Sequence, residues 1–431
     1  MMRYQKGAVG LLFSGLILIA ALTLSLASYK STYFQSKRVQ NEIAARQSLW
    51  AGEGAIECAF TKAQLDLNRT ELTNADYLKT DCQQPLSLDE IQVVSLGSKK
   101  YSLQPLDERN QPIVQKVMDF SSNRIAGAIQ STADLFMHAS SDVSPPDPGT
   151  ETDDGWECVA IRYKDKLSMN GAIVNNGLKT TESPYSGFQS NGKDCADDHK
   201  SSSASSNHHE NDLMQDTSLS PFESMFEVEK GDWLQVRNSS KYNFSIISGN
   251  QPIAGSSAAR ITDCGEKVEQ EVINGNTRIW LEGSCEIEGA SLSSLAQVSQ
   301  ATDGVLLLLH NGVFSLNGSG NFKGVLFHFN DGFQPSSADW DGLEANHDLS
   351  HSNTVFDNKL KKVYGNNHPE ANTAAYFQKG SFNFTGGQYL DMDGQMALFF
   401  NSLKFSYNED VIDAALGSTP PRWVKGSWQD F

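Results

Sequence analysis

No charged residue lies between Ala8 and Ser28, and apolar side chains fill most of that stretch. As a helix it spans about 32 Å, enough to cross the hydrocarbon core of a bilayer. From Tyr29 to about Leu67 the pattern changes without a break. Apolar or small residues recur at Tyr33/Phe34, Val39, Ile43, Ala44, Leu49/Trp50, Ile56, Phe60 and Ala63, forming a helical stripe between polar positions. The first proline is Pro85, so no ring interrupts a helix running through both segments. Gly52 and Gly54 are its weakest point, each costing ~1 kcal/mol relative to Ala. The pattern predicts one continuous rod, apolar in its first half and one-faced in its second.

Further on, the period shortens to two. "EIQVVSLGSKKYSLQPL" (90–106) alternates about Gly97-Ser98 and predicts a hairpin, and "QPIVQKVMDFSS" adds a further strand. "SSDVSPPDPGTETDDG" (140–155) is Pro-rich and acidic with no apolar pattern, and reads as a linker. From residue 156 to 431 the chain is rich in Gly, Asn and Phe. A unit of the form Gly-x-apolar-x-apolar-x-Gly recurs as "GSCEIEG" (283–289), "GVFSLNG" (312–318) and "GSFNFTG" (380–386), with "DKLSMNG" (165–171) as a variant. "GVLLLLHNG" (304–312) and "GVLFHFNDG" (324–332) form a second related pair. Alternation puts the central apolar side chains on one face, and the glycines permit tight corners. The expected fold class is α+β: a long helix with a small sheet, then a larger β-rich domain, solenoid-like or rolled, with an ordinary sandwich as the alternative.

Composition narrows the setting. A chain of 431 residues suggests two or three domains. Its formal charge of −18 makes the surface as a whole repel nucleic acid and acidic lipid. Six cysteines behind an apolar N-terminal segment point to an oxidising compartment. Six thiols allow 15 pairings. Joining sequence neighbours gives Cys58–Cys82, Cys158–Cys195 and Cys264–Cys285, with every bridge on one side of the linker. Arg3 and Lys6 precede the apolar run, which places the N-terminus in the cytoplasm and the remainder across the membrane. A cleaved secretory signal is the rival reading, with Ser25-Leu26-Ala27 as an acceptable cleavage site.

The leader "MMRYQKG", followed directly by a long apolar helix, resembles the class III signal of type IV prepilins. That resemblance implies cleavage by a prepilin peptidase between Gly7 and Ala8, with Lys6 in the recognised leader, and methylation of the new N-terminus at Ala8. The apolar residues Leu11, Leu12, Phe13, Leu16, Ile17 and Ile19 would then carry membrane anchoring and filament assembly. Most pilins carry Glu at the fifth mature position, where this chain has Leu12; no acidic residue occurs before Glu42. That departure suits a subunit at the tip, with none above it. "RQSLWAGEGAIECAF", "PFESMFEV" (221–228), residues 278–329 and the terminal "GSWQDF" also look like segments of PilX-type minor pilins. The resemblance is strongest at 1–60 and 278–329. With the patterns above it gives the expected organisation: a leader at 1–7, a transmembrane part at 8–28, an amphipathic part at 29–67, a pilin-like αβ head at 68–139, the linker at 140–155 and a β-rich domain at 156–431. The implied work is structural: priming pilus assembly from the inner membrane with other minor pilins and the major pilin, then presenting a head for adhesion or DNA uptake. Type II secretion tip pseudopilins and secreted β-solenoid adhesins are the alternatives.

Candidate chemistry is sparse. The sequence contains no GxSxG, HExxH or Walker loop, so no catalytic residue and no cofactor is expected. "CADDHKSSSASSNHHEND" (195–212) gathers three histidines but has a solvated-loop composition, and His347/His351 sit among small polar residues; no metal site is expected at either. "DWDG" (339–342) and "DMDG" (391–394) contain only part of a calcium-loop pattern. The dense basic cluster "KLKK" offers Lys359, Lys361 and Lys362, with Tyr364, for DNA contact, against the reading of an ordinary solvated turn.

Overall fold

The computed structural model describes residues 6–66, 69–74, 76–97, 99–107, 109–120, 127–180, 182–202, 210–350, 355–417 and 421–431. The chain forms two compact units: Met1–Ser121 with Pro420–Phe431, and Ser122–Thr419.

In the first unit, helix α1 runs unbroken from Lys6 to Asp66, through both Gly52 and Gly54. Its final turns bury Ala55, Ile56, Ala59 and Ala63 completely, in a core that includes Leu103, Val114 and Met118. The sheet beneath is antiparallel: β1 (Glu90–Gly97), β2 (Lys100–Leu106) and β3 (Val114–Asp119). The hairpin pairs Val93 with Leu103 and takes up an irregularity between Ser95 and Gly97. Two short strands from the C-terminus, Arg422–Trp423 and Gln429–Asp430, complete the sheet by pairing antiparallel with β3. The β-rich domain therefore does not extend to residue 431 as expected, because the C-terminal segment belongs to the first unit. Trp423 stacks on Phe60 at 4.5 Å between ring centroids, under the Lys116 ammonium at 4.0 Å, and this aromatic anchor holds the tail to the first unit.

The second unit begins before the expected boundary. β4 (Ile129–Ser131) and β5 (Asp134–Val143) belong to it, and the segment read as a linker is part of its body. Residues 145–148 are buried. The Asp147 carboxylate accepts the N–H groups of Gly127 and Gly149, each at 3.1 Å. An acidic, Pro-rich segment lies inside a fold when its carboxylate satisfies backbone donors there instead of water.

The strands that follow are β6 (Ile161–Tyr163), β7 (Leu167–Met169), β8 (Ile173–Asn175), β9 (Leu213–Gln215), β10 (Ser245–Ser248), β11 (Gln251–Pro252), β12 (Ala259–Arg260), β13 (Arg278–Glu282), β14 (Cys285–Glu288), β15 (Val305–His310), β16 (Phe314–Asn317), β17 (Gly320–Phe322), β18 (Gly324–Phe329), β19 (Tyr376–Lys379), β20 (Phe382–Phe384), β21 (Gly387–Asp391) and β22 (Met396–Phe405). Apart from the small pairs β11–β12 and β17–β20, they join β4 and β5 in two sheets, the first eight-stranded in the order β10-β13-β15-β18-β21-β4-β6-β9. A second sheet runs β14-β16-β19-β22-β5-β7, with β8 also on β5. Every pairing in both is parallel. The expectation of a solenoid is not supported: the sheets do not close, and strand order is not chain order. The last long strand, β22, lies beside the early strand β5 over ten residues.

β15 and β18 are buried at all six positions, as strands covered on both faces require, and they lie side by side in register. The Gly-bounded units at 283–289 and 312–318 become neighbours β14 and β16, pairing Cys285 with Phe314 and Ile287 with Leu316. Their glycines meet at the corner. A Cβ on Gly312 would lie 2.3 Å from the carbonyl carbon of Gly283, so backbone packs directly on backbone. The unit at 380–386 instead supplies β20, paired with β17, while 165–171 supplies β7 at the far edge of the second sheet.

Candidate functional site: the N-terminal helix and its sheet

Helix α1 is the feature of the chain least explained by packing. Nearly every residue from Gly10 to Gln47 is exposed, although the first half is apolar. Leu11, Leu12, Phe13, Leu16, Ile17 and Ile19 are all more than half exposed, so none contributes to a core within the chain. The helix is long and apolar enough to cross a membrane, and its most apolar window is wholly unburied. Lys6, Gly7 and Ala8 lie in its first turns; residues 1–5 fall outside the described residues. No acid precedes Glu42, which forms an i,i+4 ion pair with Arg46 at 2.8 Å.

The second half carries two apolar faces rather than one. At 100° per residue, Gly52, Ala55, Ala59 and Ala63 lie together on the side that meets the sheet. Val39, Ile43 and Trp50 project from the opposite side, and Trp50 is 65% exposed. The predicted stripe therefore divides: Ile56, Phe60 and Ala63 pack inward, whereas Tyr33, Phe34, Val39, Ile43 and Trp50 remain outside. Gly52 has a packing role. A Cβ there would stand 3.1 Å from a methyl of Ile113 and 3.1 Å from one of Val114, so glycine lets the helix close on the start of β3.

Several polar links fix the helix end to the sheet. Cys58 is bridged to Cys82. Lys62 donates to the Tyr77 carbonyl at 2.7 Å and pairs with Asp81. Glu57 pairs with Lys116 at 3.0 Å, and the Tyr77 hydroxyl donates to Asp66 at 2.7 Å. Burial, followed by that bond, pushes the Tyr77 hydroxyl above its ordinary range. The other two bridges, Cys158–Cys195 and Cys264–Cys285, lie in the second unit, so all three join sequence neighbours as expected.

The second unit separates the candidate basic cluster. Lys359, Lys361, Lys362 and Tyr364 share the helix Val355–Tyr364, but Lys359 lies on its inward side between Phe356 and Leu360. Its ammonium donates to the Met137 carbonyl at 3.3 Å, and burial, then nearby Lys362, pushes its pKa down to about 8. The Tyr364 hydroxyl donates to Asp134, and the Lys166 ammonium sits 4.4 Å over its ring. Only Lys361 and Lys362 of the three lysines remain exposed, so the expected stacking and phosphate surface is not assembled.

The acidic motifs are also occupied by the protein. Asp339 closes a capping box with Ser336, and Asp391 and Asp393 are bridged by Lys230 at 2.8 and 2.7 Å. His199 is buried with Nδ1 3.0 Å from the Cys158 carbonyl; His208, His209 and His351 lie outside the described residues. No cluster able to hold a metal occurs among the described residues.

Sequence reasoning missed two open clefts in this unit. One of about 570 Å³ is lined by Glu157, Arg162, His199 and Glu210 among others. The other, of about 520 Å³, includes Asp134, Lys166, Tyr364 and Gln395. In the second, Asp134 already holds Lys166 at 3.1 Å and accepts from Tyr364. Their residues come from distant segments, which no local pattern could have gathered. No family model, curated protein or solved structure matches this chain.

Proposed function

We propose that this chain is a minor pilin of the PilX type, placed at or near the tip of a type IV pilus. Its apolar helix half anchors it in the inner membrane with the N-terminus cytoplasmic. There it joins other minor pilins and primes assembly of the major pilin, after processing by prepilin peptidase. The β-rich unit then travels outward as a head for adhesion or DNA uptake, and the work is structural rather than catalytic. The observation that carries this reading is the continuity of α1: an unpacked apolar half runs, without a break, into turns buried and disulfide-linked on an antiparallel sheet. A discarded signal needs no such continuity, whereas a retained anchor does. Leu12, at the place of the usual pilin glutamate, favours the tip over the shaft. N-terminal sequencing of the mature protein tests the proposal. Methylated Ala8 is expected; Ser28 as the first residue refutes it and favours a secreted adhesin.

A further inference from the structure

The segment of α1 just beyond the apolar run has a charge opposite to that of the chain. Residues 29–46 contain Lys30, Lys37, Arg38 and Arg46 against the single acid Glu42, in a protein of formal charge −18. Arg46 is paired with Glu42. Lys30, Lys37 and Arg38 are exposed, and no ion pair or hydrogen bond holds Lys37 or Arg38 among the described residues. Lys30 reaches over the Phe34 ring at 6.0 Å. Tyr29, Tyr33 and Phe34 are half exposed or more in the same turns.

Three physical points bear on what this belt meets. The first is position: at 1.5 Å per residue, Lys30 stands about 3 Å beyond Ser28, and Lys37 and Arg38 about 14 Å beyond it. Side chains on a helix lean towards its N-terminus, here back towards the apolar half, so these long cations reach towards the level of lipid headgroups. The second is chemistry: exposed Tyr beside Lys and Arg at the end of a spanning helix is the composition of a membrane–water interface. The third is contrast: residues 29–46 set four basic side chains against one acid in a chain that is strongly acidic as a whole, so this belt is the stretch that an anionic surface attracts.

We infer that Lys30, Lys37 and Arg38, with Tyr29 and Tyr33, bind the headgroups of anionic phospholipids in the leaflet on the far side of the membrane. This rests on the anchored reading of α1. The belt holds the subunit at a defined depth, and the chain's acidic remainder is kept off the same surface by its own charge. A Lys or Arg close to an anionic surface gains roughly fivefold in affinity, so three act together over about two orders of magnitude.

The test uses the full chain in lipid nanodiscs of two compositions, phosphatidylcholine alone and phosphatidylcholine with phosphatidylglycerol. Acetylation rates of Lys30 and Lys37 are read against Lys425, an exposed reference. Protection of about fivefold or more is expected only with phosphatidylglycerol, and it should fade in molar salt, where the screening length is about 3 Å. Native mass spectrometry should find phosphatidylglycerol retained by the chain and lost from the K30Q/K37Q/R38Q variant. Equal acetylation in both discs, or unchanged retention by the variant, overturns the inference. So does protection that is independent of lipid and grows with protein density, which would mark a second, acidic chain as the occupant. A chain that enters neither disc overturns the anchor itself, a result distinguishable from loss of lipid selectivity alone.

Discussion

Replacing Trp423 by Ala removes the anchor by which the C-terminal tail joins the first unit. The indole stacks on Phe60 at 4.5 Å and lies under the Lys116 ammonium at 4.0 Å. Stacking contributes about 1 kcal/mol and the cation–π contact about 0.5–1 kcal/mol. Half-burial of an indole adds roughly 100 Å² of apolar area, or about 2.5 kcal/mol as an upper figure. Allowing for overlap among these terms, a loss of about 3 kcal/mol is expected. Hydrogen exchange reads this locally, because both tail strands pair with β3. A loss of about 3 kcal/mol corresponds to exchange roughly a hundredfold faster across Val114–Asp119 if those amides exchange by opening of the unit. Trp423→Phe keeps a ring over Phe60 and should recover most of the protection. Unchanged exchange of β3 in Trp423→Ala would refute the docking of the tail, whatever happened elsewhere in the chain.

Other perturbations separate further parts of the account. Cys58→Ser with Cys82→Ser opens a loop of sequence separation 24. The first unit should lose ~3 kcal/mol, seen as a lower denaturant midpoint for peptides of α1 and β1. Gly312→Ala puts a methyl 2.3 Å from the Gly283 carbonyl carbon, whereas Gly332→Ala meets nothing within 4 Å. The first should destabilise the second unit by the upper part of the ~1–3 kcal/mol overpacking range or more, the second by only ~1 kcal/mol; equal melting temperatures would contradict the corner packing. Burial pushes the imidazoles of His328 and His310 down to about 3 and about 4. Both are neutral when folded and take up protons more readily when unfolded. Their contribution is therefore complete above pH 6.5 and is lost as pH falls towards those values. Asp147, pushed up to about 6 by burial, has the opposite sign: it favours folding below about pH 4 and loses that contribution as pH rises through 6. Urea titrations from pH 7 to 4 should show a shallower acid loss in His328→Gln and a steeper one in Asp147→Asn.

The parts of the fold that were legible are those set by local period. α1 could be read because apolar content, then a 3.6-residue stripe, continued for about sixty residues without Pro. The β1–β2 hairpin could be read because alternation reversed about Gly97. The three bridges follow from cysteines close in sequence. The split of the helical stripe into two faces was visible in principle. Gly52, Ala55, Ala59 and Ala63 share one side by spacing alone, and Trp50 does not. Lys359 carried a similar signal, standing three residues after Phe356 and so on the same flank of its helix as that buried ring. A run of lysines shows charge without regard to helical angle, and angle is what separates Lys359 from Lys361 and Lys362.

What could not be read is the pairing of distant strands, and the reason is degeneracy. A strand buried on both faces shows a continuous apolar run, and such a run fits beside any other of similar length. "VLLLLH" and "GVLFHF" lie together, but nothing in "MALFFNSLKF" singles out "DLFMHASSDV" as its neighbour. Close backbone packing at corners elsewhere in the unit carries more specific information than the apolar runs do. Where Gly312 meets Gly283, or where a Cβ on Gly380 would lie 2.2 Å from the Gly318 carbonyl, one chain path excludes any residue larger than glycine. These glycines are interchangeable when counted in sequence, yet each is specific to the strand it meets. The same holds for Asp147. Its burial satisfies the Gly127 and Gly149 N–H groups, so a residue with the composition of a linker helps to fix where the second unit begins.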